Sequence, residues 1–191
     1  FNGSITSVSL PEGITAVDNA AFSDCTNLQS VTLPSTVTRI GEYAFSYCQQ
    51  LTSINLPVNL SSIGVGAFQE CSQLGTLSLP ESLVSIATRA FENCAALTSL
   101  HLPAATTVIA LDTFINSCNA LSSISVAAAH PSYQSIDGIL YNATADRLLR
   151  CPEGKGGTVV IPDTVVSIAE RGFDDCETLR EVHFGSAVES I

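Results

Sequence analysis

The chain repeats itself every 23 residues, and that period constrains its fold more than any local propensity does. Prolines stand at Pro11, Pro34, Pro57, Pro80 and Pro103, and phenylalanines at Phe22, Phe45, Phe68, Phe91 and Phe114, each series advancing by 23. The unit reads L-x-S-V-x-L-P-x-x-V-x-x-I-G-x-x-A-F-x-x-C-x-x; its cleanest copy is 28–50, and others open at Ile5, Leu51, Leu74 and Leu97. From Phe114 to Phe173 the step is 59, thirteen residues more than two periods, which places one irregular unit over 121–157. Regularity returns with Val159, Val160, Ile161 and Pro162, and a partial copy occupies 179–191. A unit this short cannot enclose its own core, so neighbouring units must stack into one continuous array spanning 1–191.

Within the unit, Val31 and Leu33 alternate with Ser30 and Thr32, the pattern of a short strand with one buried face. Pro34 has no N–H to give a ladder and ends that strand. Val37 and Ile40 are spaced for a second extended or turning segment over the same core. After a bend at Gly41, the i, i+3 spacing of Phe45 and Cys48 predicts about two helical turns over 42–48. So short a helix melts alone and persists only when docked. Stacked rungs pair their strands in parallel about 4.8 Å apart, with right-handed connections. The expected fold is a right-handed α/β solenoid with a parallel sheet on one face and short helices on the other.

Eighteen acidic residues against seven basic ones give a net charge of -11, so a nucleic-acid backbone is repelled and no nucleic-acid partner is expected. Apolar runs fall far short of the roughly 18 residues of a membrane helix, and no membrane insertion is expected. Methionine is absent even at position 1, which reads as a segment of a longer protein.

The strand signature of 28–34 and the I-G-x-x-A-F-x-x-C signature of 40–48 resemble the BspA-type leucine-rich repeat. The irregular unit is also similar to one in that family, through His130-Pro131-x-Tyr133, 135–141 and 149–154. It reads as a hairpin insert, with Ile139–Tyr141 facing Arg147–Cys151 across a turn at 142–146. Departures are Thr106 at an aliphatic position, Thr113 in place of Ala, and one extra residue between Phe114 and Cys118. The asparagine ladder of common leucine-rich repeats is missing. The resemblance implies a cell-surface or secreted protein, without catalytic activity, that binds host or neighbouring-cell surface or matrix proteins. It carries over no functional residue.

Of seven cysteines, Cys25, Cys48, Cys71, Cys94, Cys118 and Cys176 share one repeat position and should form a column of core thiols. At rung spacing their Cβ atoms are farther apart than the roughly 3.5 to 4.5 Å of a disulfide. The column cannot surround zinc, so neither metal nor cofactor is expected. Cys151 lies outside the column, on the insert, as the thiol to test for reactivity. His101 and His183 face outward from their strands and His130 reads as a turn residue, while a triad of His130, Cys151 and Asp137 rests on composition alone. The 153–157 segment lacks the order of a phosphate loop and reads as a flexible turn. Asp24, Glu70, Glu92, Asp174 and Asp175 read as a solvated acidic stripe, and sequons at Asn2, Asn59 and Asn142 are about as many as chance supplies.

Two surfaces remain as binding candidates, with equal weight. One is the outer row of the first strand, taken as the concave face: Ser9, Thr32, Asn55, Ser78, His101, Ser125, Val160 and His183, one per rung. The other is the insert, through Tyr133, Tyr141, Arg147 and Arg150. A non-enzymatic interaction module is favoured over a rigid spacer, with an enzyme a distant third. Open strand edges at Ile5 and Ile191 lead to an expectation of end-to-end self-association of the segment. Truncating one column phenylalanine, as in Phe45→Ala, should cost about 3 to 5 kcal/mol in a denaturant melt.

Overall fold

A computed structural model describes residues 4–110 and 115–191, so Phe114, Thr113 and the sequon at Asn2 lie outside the described residues. The rungs contribute short strands to two parallel ladders, usually one to each; strands are numbered in chain order. The first ladder contains β1 (Ser7–Ser9), β3 (Ser30–Thr32), β5 (Ser53–Asn55), β8 (Ser99–Leu102), β10 (Ser123–Val126), β14 (Gly157–Val160) and β16 (Leu179–His183). The second contains β2 (Ala16–Val17), β4 (Arg39–Ile40), β6 (Ser62–Ile63), β7 (Ser85–Ile86), β9 (Val108–Ile109), β13 (Arg147–Arg150) and β15 (Ser167–Ile168). In the regular rungs the register follows the repeat, pairing Val31 with Ile54 and Ile40 with Ile63.

The first ladder is not the one continuous sheet that the repeat predicts. It divides into β1-β3-β5, β8-β10 and β14-β16, whereas β2-β4-β6-β7-β9 runs unbroken. Residues 76–79 form no strand, although Leu77 and Leu79 stay buried. Gly75 begins this segment where other rungs carry Gln29, Thr52 or Thr98, and a glycine there weakens strand formation.

The expected helices do not form; among the described residues there are none. The outer segment of each rung is two consecutive tight turns, with Ser46 N–H donating to Tyr43 O at 3.1 Å and Cys48 N–H to Phe45 O at 3.3 Å. The N–H groups between them reach the next rung, from Tyr43 to Val65 O, Phe45 to Ala67 O and Tyr47 to Gln69 O at 2.7 to 2.8 Å. This alternation requires left-handed backbone at Tyr43 (φ 54°) and Tyr47 (φ 59°), and equivalent positions repeat it at Ala20, Arg89 and Arg171 and at Asp24, Glu70, Asn93, Ser117 and Asp175. Two left-handed residues four apart exclude an α-helix. The i, i+3 spacing of Phe and Cys belongs equally to back-to-back turns.

Inside, Phe22, Phe45, Phe68 and Phe91 stack with centroids 5.4, 5.5 and 5.8 Å apart and planes within 14° of parallel. The column cysteines are free thiols, and those of the successive regular rungs donate to a phenylalanine carbonyl one rung back: Cys48 to Phe22 O, Cys71 to Phe45 O and Cys94 to Phe68 O, all at 3.2 Å. Thr106, the apparent misfit at an aliphatic position, is buried and donates to Leu83 O at 2.7 Å. Thr36 and Ser82 do the same for Ile14 O and Leu60 O, so hydroxyls supply the inter-rung bonds where the asparagine ladder is missing.

The insert forms the expected hairpin and one strand more. β11 (Tyr133–Ile136) and β12 (Ile139–Asn142) pair antiparallel, β12 pairs antiparallel with β13, and β13 returns to the second ladder in parallel with β15. Gly138 turns the chain between β11 and β12 at φ 76°; a Cβ there would sit 2.8 Å from Ser123 Oγ.

Two predictions follow from the turns and the thiols. Ala20→Gly relieves a left-handed alanine worth about 1 to 2 kcal/mol, outweighing roughly 0.5 to 1 kcal/mol of chain entropy. It should therefore raise stability by about 0.5 kcal/mol in a urea melt, while Gly66→Ala, whose Cβ meets the Tyr43 ring at 2.5 Å, should lower it. Burial pushes Cys48 and Cys118 up to about 12 from an ordinary 9.0, and Cys71 and Cys94 well above 9.0. The unfolded chain loses these protons near pH 9 while the folded chain keeps them. Their contribution is thus complete below pH 9 and lost as pH rises from 9 toward 12. Melts across that range should show the decline, and a Cys48→Ala, Cys71→Ala, Cys94→Ala variant should flatten it.

Candidate binding surface

On the first ladder, alternation places Val31, Ile54 and Leu100 in the core and their neighbours outside. The expected outer row exists as a spatial row in pieces. Ser9, Thr32 and Asn55 are in register, His101 is in register with Ser125, and Val160 with His183. All of these are exposed, as is Ser78 on the unpaired segment. A groove of about 580 Å³ crosses the row where the ladder is broken, lined by Ser53, Asn55, Val58, Thr76, Ser78, Pro80, Ser99 and His101 among others. Three of the row residues, Asn55, Ser78 and His101, therefore share one groove.

The lining contains no carboxylate, lysine or arginine. It offers hydroxyls, one amide and one imidazole, and Val58 at 73% exposure supplies an apolar rim. His101 Nδ1 lies 2.9 Å from Ser125 Oγ, which fixes the ring across two strands. His183 Nε2 lies 3.4 Å from Glu181 Oε1, outside the groove.

The insert does not present the second surface as expected. Tyr141 and Arg150 are each 1% exposed, so neither faces a partner. Burial pushes the Tyr141 hydroxyl up to about 12. Tyr133 is half-buried against His130, with ring centroids 5.0 Å apart, and borders a smaller cavity of about 360 Å³ with His130, Gln134 and Ser135. Arg147 alone of the four is exposed. At the hairpin tip, hydrogen bonds from Asn142 and Thr144 hold the Asp146 carboxyl below its ordinary value.

Arg150 forms a buried ion pair with Glu153 at 2.6 Å that sequence reasoning missed. Its guanidinium also donates to Arg171 O at 2.8 Å, and Glu153 Oε1 accepts from Ser117 N at 3.0 Å. Burial pushes the Glu153 carboxyl up and Arg150 opposes the shift. The 153–157 segment is accordingly not a loose turn: Glu153 is buried, and Lys155 pairs with Asp137 at 3.0 Å. The available signal was Arg and Glu three apart beside a break in the repeat.

The triad of His130, Cys151 and Asp137 is not assembled. His130 is buried; its Nδ1 accepts from Ser132 N and Tyr133 N at 3.1 and 3.2 Å, which leaves Nε2–H to donate to Thr106 O at 3.1 Å. Asp137 serves Lys155. Cys151 is buried and not an exposed insert thiol; its N–H donates to Gly172 O, the bond that Phe45 makes to Ala67 O. It therefore occupies the phenylalanine position of the irregular rung. In the acidic stripe, Glu70 accepts from Asn93 at 2.7 Å and Glu92 from Gln69, so these carboxylates tie rungs together. Among the described residues no group of three potential ligands could hold a metal ion.

Comparison with known proteins agrees with this architecture. The family described as "BspA type Leucine rich repeat region" matches six copies over residues 1–122 and 155–191. A leucine-rich repeat protein from Eubacterium ventriosum has a similar structure, with a TM-score of 0.81 and 27% identity over 97% of this chain and 49% of that one. A leucine rich cell surface protein from Faecalibacterium prausnitzii gives 0.73 and 33% identity over 98% of this chain and 56% of that one. The pneumococcal vaccine antigen PcpA, at 22% identity and a TM-score of 0.78 over 96% of this chain and 56% of that one, shares the fold. The chain thus spans about half the length of these structures. No curated protein matches it at a significant level. With six matched copies covering most of its length, the chain belongs to the BspA-type leucine-rich repeat family.

Proposed function

We propose that the chain is a non-enzymatic protein-interaction module of a cell-surface or secreted protein, and that it engages host or neighbouring-cell surface or matrix proteins through the first-ladder face. The observation that carries this reading is the groove in which Asn55, Ser78 and His101 converge, on a row whose neighbouring members Thr32 and Ser125 carry small hydroxyls. Such a lining recognises through hydrogen bonds and shape instead of charge, which suits a protein partner and not a polyanion. The similarity to a protein described as a leucine rich cell surface protein supports a surface location. The burial of Tyr141 and Arg150 moves the weight from the insert to this face. Catalysis draws no support from His130, both of whose ring nitrogens are engaged in structural bonds, or from Cys48, Cys71, Cys94 and Cys118, whose thiols burial pushes up.

The test is binding of the chain to a panel of matrix and cell-surface proteins beside an Asn55→Arg, His101→Glu variant. Both positions are exposed, so the variant should fold as the parent does. A partner bound by the parent and weakened about tenfold or more in the variant supports the adhesive face. Equal binding by both removes the groove from the contact, and no binding by either favours a rigid spacer.

A further inference from the structure

The seven thiols are not equivalent. From Cys48 to Cys118 each column sulfur is directed at a phenylalanine carbonyl of the preceding rung, at 3.0 to 3.2 Å. The irregular rung has a cysteine where its neighbours have phenylalanine, so Cys176 meets another cysteine at that place. Cys151 Sγ lies 3.8 Å from Pro152 O, and Cys176 Sγ lies 3.7 Å from the same oxygen and 3.7 Å from Cys151 O. Two sulfurs from successive rungs thus converge on one carbonyl. Cys151 is fully buried and Cys176 is partly exposed, so a reagent can reach one member of the pair and not the other.

We propose that Cys151 and Cys176 are a redox pair that closes to a disulfide by exchange with a small-molecule disulfide such as oxidised glutathione, stapling the irregular rung to the one that follows. Cys176 loses its proton to solvent and its thiolate attacks one sulfur of the reagent; the reagent's S–S bond breaks and one glutathione thiolate leaves. Cys151 then attacks the Cys176 sulfur, the mixed disulfide breaks, and the second glutathione departs with the Cys151 proton. Two protein thiols are oxidised by two electrons and one reagent disulfide is reduced to two thiols. The partial exposure of Cys176 and the burial of Cys151 match an attacking and a resolving thiol, and their proximity holds Cys176 below its ordinary value while raising Cys151. Cys71 and Cys94, pushed up by burial and bonded to carbonyls, take no part, nor do Cys25, Cys48 and Cys118.

The experiment incubates the folded chain with oxidised glutathione, alkylates remaining thiols after denaturation, and maps tryptic peptides by mass spectrometry. Cleavage after Arg150, Lys155, Arg171 and Arg180 puts the two cysteines on separate peptides, 151–155 and 172–180. The expected product joins these peptides, with two of the seven thiols lost and the bond reversed by dithiothreitol. Cys151→Ser should stop at a single glutathione on Cys176, and Cys176→Ser should leave Cys151 unmodified. Recovery of both peptides as alkylated thiols, a lasting glutathione adduct on Cys176 in the parent, or a bond from either cysteine to a column cysteine would overturn the proposal. The parent measurement decides this even if a variant fails to fold.

Discussion

Everything in this molecule depends on main-chain hydrogen bonds that run from one rung to the next. A 23-residue loop cannot satisfy its own backbone while burying a face, so its polar groups must find partners above and below. The two strand ladders do this in the familiar parallel way. The outer turns add a third ladder, in which alternate N–H groups from Tyr43, Phe45 and Tyr47 go to Val65, Ala67 and Gln69 while those between them close the turns. The left-handed residues are the cost of that alternation, of order 1 to 2 kcal/mol each for a non-glycine side chain. The stacked phenylalanines and the thiols bonded to their carbonyls fill the space these ladders enclose.

Periodicity made much of this legible, because each rung repeats the same evidence. Val31, Ile54 and Leu100 are buried where the alternation puts them, and Thr32, Asn55 and His101 are exposed opposite them. The helices were misread because a single helical turn and two tight turns impose the same three-residue spacing on Phe45 and Cys48. Only backbone dihedrals separate them, and residues as varied as Tyr43, Arg89 and Glu70 adopt the left-handed conformation. A glycine at each such position would have disclosed the turns, yet among the described residues only Gly66 occurs in this series at positive φ. The insert was legible as a hairpin from its composition and turn. The burial of Tyr141 and Arg150 was not, since an arginine beside a repeat boundary carries no sign of an acceptor 21 residues ahead.

The groove shows a different limit. Its residues were on the expected row, but the depression lies where 76–79 drops out of the ladder, and the repeat predicts a strand there as firmly as anywhere else. The second ladder runs without interruption past this rung, and the outer ladder also continues, with Phe68 N–H donating to Ala90 O and Glu70 N–H to Glu92 O. The array is therefore open on one side only. A local departure from an ideal repeat, held rigid by two intact ladders behind it, gives a surface feature without loosening the core. That separation lets a solenoid vary its contact face while its stacking rules stay fixed.

The irregular rung illustrates how the array tolerates a defect. Its outer segment is too short to provide the full set of turns, and Cys151 stands where a phenylalanine would be. In a regular rung the N–H of Tyr47 finds a carbonyl on the next rung; the equivalent N–H of Ser117 finds the Glu153 carboxylate at 3.0 Å instead. An orphaned buried N–H costs about 1 to 3 kcal/mol, and a carboxylate brought in to accept it needs a counter-charge. Arg150 provides one, at 2.6 Å, and reaches Arg171 O in the following rung with another nitrogen. The pair is not an ornament added for stability, since two buried charges seldom gain on an apolar core of the same volume. It is what the interrupted ladder requires: a side-chain bridge from the rung before to the rung after, at the one place where the main chain is too short to make it.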